Sequence, residues 1–225
     1  MRTAVFLLML AGLSPMYSAG QQSDASKEQA PPKHVLWIIP NFRTSRMLQP
    51  YVGLTAKQKF TIAAQDTFDR GTIALGAVFA AEGQFTDANH SFGQGVEGYA
   101  HYFATSYADF AIGNYMTEGV FPSLLHQDPR YFRLGSGGGR RRLEHALGQI
   151  FITHTDSGGT QFNYSEIAGN SAAVAISMAY YPENRRVTDA VSKLGIQIAV
   201  DAAANLVKEF WPEKRGSRKA PRSDH

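Results

Sequence analysis

TAKQKFTIAAQDTFDRGTIALGAVFAAEGQF, residues 55–85, decides the fold class of this chain. It opens with Thr55-Ala-Lys-Gln58, the form of a capping box, in which the Thr hydroxyl and the Gln side chain satisfy backbone donors orphaned at a helix start. Behind the box, Phe60, Ala64, Phe68, Gly71, Leu75 and Val78 recur at spacings of three and four. The stretch therefore predicts a helix from Ala56 to about Phe85 with that stripe buried.

The same signals repeat toward the C-terminus. Ser91-Phe-Gly-Gln94 has the form of a second box and predicts a helix to about Met116, with Pro122 starting a short turn after it. Arg140 to about Thr153 fits a helix with Leu143, Leu147, Ile150 and Phe151 inward. Asn163-Tyr-Ser-Glu166 caps the next, which Pro182 ends. Asn184 then caps a long helix through Val187, Val191, Leu194, Ile198, Ala202 and Leu206, closed by Pro212. About five helices without convincing alternating strands give an all-α class: one compact bundle over residues 35–212, with Val35–Phe42 as an extended strap broken by Pro40.

Around that domain the chain is organised for export. Arg2, the apolar run Ala4–Leu13 and the small residues Ser18, Ala19 and Gly20 read as a signal peptide over 1–20. Polar residues 21–34 read as a flexible linker and 213–225 as a basic, disordered tail. The tail holds the positive surplus, leaving the body near neutral, which argues against nucleic acid as a partner. With no Cys, the chain has neither disulfides nor thiolate chemistry. The capping boxes contradict an outer-membrane barrel. The longest uncharged stretch, Ile167–Pro182, falls short of a span, so membrane association is read as peripheral or half-inserted.

Two small-residue stripes, Ala100, Ala104, Ala108 and Ser171, Ala175, Ala179, predict close helix approach inside a bundle. Polar residues fall at mid-helix positions: Asp109, Asn114, Asn170, Asp201 and Asn205. Buried carboxylates need partners, so these are expected to form a network with Arg70 as the nearest helical cation. The alternative is a functional polar cavity.

The chemistry-bearing segments are few. His126-Gln-Asp-Pro-Arg-Tyr-Phe-Arg133 is the densest: Arg130, Tyr131 and Arg133 suit binding of a carboxylate or phosphate, and His126 with Asp128 suits acid–base work. His154-Thr-Asp156-Ser157 has the residue types of a nucleophile and base but lacks the Gly-x-Ser-x-Gly elbow. Glu97 and His101, four apart, are weak metal candidates without a second ligand pair. Gly93-x-Gly95-x-x-Gly98 matches a dinucleotide fingerprint by letters alone, with no strand before it. No cofactor is expected.

The runs SFGQGVEGYAHYF, LLHQDPRYFR, FNYSEIAGN and KEFWP resemble a family of uncharacterised exported bacterial proteins, over roughly Pro50 to Pro212. The resemblance implies one domain and brings no activity with it. The expectation is a non-enzymatic envelope protein of the periplasm or cell envelope, binding a partner protein or lipid surface. The alternative is a periplasmic hydrolase using His126, Asp128, Arg130, His154 and Asp156.

Overall fold

The structure is a computed structural model, and it describes residues 51–183 and 185–211 together with the backbone of three two-residue strands, β1 (His34–Val35), β2 (Ile39–Pro40) and β3 (Thr44–Ser45). The segments read as signal peptide and linker before His34, Asn184 with its expected cap, Pro212 and the basic tail lie outside the described residues.

The chain is all-α in class, as its periodicity predicts, with helices α1 (Ala56–Thr67), α2 (Arg70–Phe85), α3 (Gly95–Asn114), α4 (Phe121–Leu124), α5 (Gly139–Gly148), α6 (Tyr164–Tyr180) and α7 (Val187–Phe210). Short strands β4 (Gln127–Asp128), β6 (Ile152–Thr155) and β7 (Thr160–Phe162) form an antiparallel sheet, and β5 (Tyr131–Phe132) pairs in parallel with β3. β1 and β2 form an antiparallel pair in the strap segment.

The caps explain most boundaries. Thr55 and Gln58 form the reciprocal box that starts α1. Asn163 Oδ1 accepts from the Glu166 amide to start α6. The single helix expected over 56–85 is two, because Asp69 turns extended and its carboxylate accepts from Gly71 N at 2.7 Å, capping a new helix. The Ser91 box does not form. Ser91 N instead donates to the Glu183 carboxylate at 2.7 Å, and Gly93 and Gly95, both at positive φ, delay α3. A Cβ on Gly98 would stand 2.3 Å from Gly93 O, so the glycines of that run serve a tight turn against the first turn of α3. α5 stops at Gly148 rather than near Thr153, since Ile152–Thr155 pairs as the central strand of the sheet.

Between α3 and α4 a π-helical segment, Tyr115–Val120, packs against α1 and α6. Gly169 is what admits it: a Cβ there would meet Thr117 Cγ2 at 2.9 Å and Met116 C at 3.0 Å. Gly169→Ala is expected to cost about 1–3 kcal/mol through overpacking, read as a lower denaturation midpoint.

The large apolar residues expected inward on α1, α2 and α5 are mostly exposed, whereas Gly71 is buried and Ala64, Leu194, Ile198, Ala202 and Leu206 are half-buried. Phe60, Phe68, Leu75 and Val78 of the first stripe are exposed, as are Leu143, Leu147 and Phe151; Ile150 alone of its set is buried. The interior faces of α1 and α2 carry Lys59, Asp66, Thr67 and Thr72 beside Ala63 and Ala80. The small-residue stripes also turn outward, Ala100, Ala104, Ser171, Ala175 and Ala179 being exposed and Ala108 half-buried. Close approach between α2 and α3 is made at Gly76 and Gly83 instead, where a Cβ would crowd Tyr107 and Tyr102.

Candidate functional site

Two groups of functional side chains emerge from this packing. The first lines a half-open cavity of about 280 Å³ between α2, α3, α6 and α7. Four of the mid-helix polar residues, Asp109, Asn114, Asn170 and Asp201, line it together. Arg70 does not join them: it sits exposed in the first turn of α2. The cation that meets Asp109 comes from α7, with Lys193 Nζ 3.6 Å from Asp109 Oδ2. Lys193 also donates to Ser177 Oγ at 2.6 Å and lies 3.3 Å from the centre of the Tyr181 ring. Tyr180 donates its hydroxyl proton to the same Asp109. Asn205, one turn beyond Asp201, falls into a separate small polar void with Asp128, Arg130 and Glu166, its amide donating to Ala146 O at 3.4 Å.

The second group gathers where β4 and β6 pair. That register sets Asp128 opposite His154 and Gln127 opposite Thr155, and Asp156 N donates to His126 O. Both His-bearing segments thus lie at one place in the fold. Their side chains are committed there. Asp128, fully buried, is clamped by Arg130, whose Nη2 and Nε lie 2.6 and 2.9 Å from its carboxylate, and it accepts from the Tyr51 hydroxyl. Burial, and then Asp128, push the Tyr51 hydroxyl well above its ordinary range. Asp156 pairs at 2.7 Å with the buried ammonium of Lys59, which also donates to Pro122 O. His126 is 84% exposed with its Nδ1 3.8 Å from Asp156. His154 packs its ring on Tyr51 and Phe132, and burial lowers its basicity. Ser157 is exposed in a turn, bonded to Thr155 rather than to a base. Each carboxylate already holds a cation, so Asp128 and Asp156 pin strands and loops together rather than presenting a free carboxylate.

Beyond it, Glu209 near the end of α7 is the hub that ties the Tyr131–Arg142 segment to α7. It accepts from Tyr131 Oη at 2.7 Å, Arg142 Nε at 2.8 Å and the amides of Leu134 and Gly135, while Arg133 donates to Trp211 O at 2.6 Å. Burial, and then Glu209, raise the Tyr131 hydroxyl far above its usual range. Of the residues read as a binding set, Tyr131 and Arg133 therefore bind the chain's own C-terminal helix. Glu97 and His101 are exposed on α3, with His101 edge-on to Phe92, and no cluster of metal-ligating side chains occurs among the described residues.

Sequence reading missed Lys193, Lys59 and Glu209. Lys59 shares a helix face with Asp66 and Thr67, and Glu209 recurs at a spacing of four with Asp201 and Asn205, so polar periodicity is the signal that could have found these two. Comparisons with family models, curated proteins and solved structures gave no match.

Proposed function

We propose that this chain is an exported, non-enzymatic envelope protein whose bundle sits against lipid, its apolar faces outward and its polar side chains within. The observation that carries the reading is α7. It is long and apolar enough to cross a membrane by length and composition, and only 6% of that stretch is buried within the structure. Its ionisable residues Asp189, Lys193, Asp201, Lys208 and Glu209 are all buried or half-buried, whereas Val191, Gly195, Ile196, Ala199 and Ala203 are exposed. Water would favour the opposite arrangement; a lipid environment favours this one. The exposed Ile73, Leu75, Val78 and Phe85 of α2 and Ile176 of α6 extend the same logic to two further helices.

Fractionation of cells producing the full chain tests it. Expected is retention in the pellet through high salt and carbonate, with release by detergent. Recovery as a soluble monomer would refute the reading.

A further inference from the structure

We propose that the cavity between α2, α3, α6 and α7 is a binding site for a small organic ammonium ion with an apolar body, an inference that goes beyond lipid contact and does not depend on it.

The charge balance of the lining points to a cation. Its charged residues are Glu82, Asp109, Asp201 and Lys193. Lys193 is taken by Asp109, Ser177 and the Tyr181 ring, so the protein's own cation and one of the three carboxylates are already matched. Asp201 is left with one polar contact, the Asn170 amide at 3.5 Å, and that amide is shared with Glu166 at 3.1 Å. A half-buried carboxylate with so weak a partner favours a positive ligand.

A second observation is independent of charge. Asn89 is 1% exposed and lines the cavity, and its Oδ1 has no hydrogen-bond partner. Gln197 Oε1, on the α7 wall of the same cavity, is likewise unpartnered. Buried polar atoms are nearly always satisfied, so an orphaned acceptor on a cavity wall marks where a donor belongs. An ammonium brings donors and charge together and has no acceptor of its own.

The rest of the wall suits an apolar body. Phe79 and Phe110 meet edge to face at 5.4 Å, and Tyr102, Ile196 and Val200 continue the lining. Aromatic faces add to cation binding, and the volume is near the lower end of small-molecule pockets, about 300–1,000 Å³. An anion would face the Asp201 carboxylate, which no cation neutralises, with Lys193 already engaged.

Calorimetric titration of the detergent-purified full chain with 2-phenylethylammonium, 2-phenylethanol and 3-phenylpropionate tests the proposal. Expected is saturable binding of the ammonium, at least about tenfold tighter than the alcohol, with none of the carboxylate. Asp201→Asn is expected to lose about tenfold in ammonium affinity, while Glu144→Gln, on exposed α5, leaves it unchanged. Equal binding of all three probes, or no saturable ammonium binding, would overturn the site. The wild-type series decides this by itself should Asp201→Asn fail to fold. A protein that stays in the soluble fraction yet prefers the ammonium would retain this site while losing the lipid-facing reading.

Discussion

Replacing Glu209 by Ala is expected to destabilise the fold by about 3–5 kcal/mol, the range for removing one partner of a buried, hydrogen-bonded ion pair. The Glu209 side chain is fully buried, and the substitution would strand the Arg142 guanidinium, which is itself only 18% exposed and lies over the Phe210 ring. It would also orphan the Tyr131 hydroxyl and the amides of Leu134 and Gly135 at once. On a chain of this size such a loss corresponds to a fall of roughly 6–20 °C in Tm. Adding Arg142→Met to Glu209→Ala should recover part of it, because the isolated buried charge is then gone. A fall of a degree or two would mean that the hub contributes little.

Ala199→Asp separates lipid from water on the outer face of α7. Ala199 is exposed near the middle of the helix and does not line the cavity. Against water the substitution costs no more than the helix-propensity difference, about 0.7 kcal/mol. Against lipid a carboxylate at a helix centre costs about 2.5–3.5 kcal/mol. The expected result is the larger figure, read as the shift in denaturation midpoint of protein reconstituted in vesicles, together with reduced recovery in the membrane pellet. The smaller figure would place that face in solvent.

Much of the secondary structure was legible because its signals are local. The Thr55 box, the Asn163 cap and the helix-ending Pro182 act within one turn, and each is found where the residue types predict. What was not legible is the phase of burial. Apolar periodicity reports which residues share a face, and placing that face inside assumes water outside. Phe60 lies on α1 and Leu75 and Val78 on α2, so the expected single stripe is split between two helices, and the face of α1 that is buried is marked by Lys59, Asp66 and Thr67. Read as a polar stripe at helical spacing, those three would have given the buried face of α1. Asp69 was passed over because an Asp inside an apolar run reads as interruption as easily as cap. The π-helical segment at Tyr115–Val120 has no local signature at all. The polar residues of the cavity were identifiable singly by their mid-helix positions. Which cation meets Asp109 was not, because Lys193 lies 84 residues away and only tertiary packing brings it there.

Nitroxide side chains on single-Cys variants of this Cys-free chain address the central claim most directly. Leu75 and Ala199 report the outer faces of α2 and α7, and Arg140, with a 91% exposed side chain on α5, serves as the aqueous reference. With protein in vesicles, collision rates with dissolved oxygen, which concentrates in lipid, are compared with those of a water-soluble nickel chelate. Lipid contact predicts oxygen-dominated relaxation at Leu75 and Ala199 and nickel-dominated relaxation at Arg140. Nickel-dominated relaxation at all three positions would contradict it.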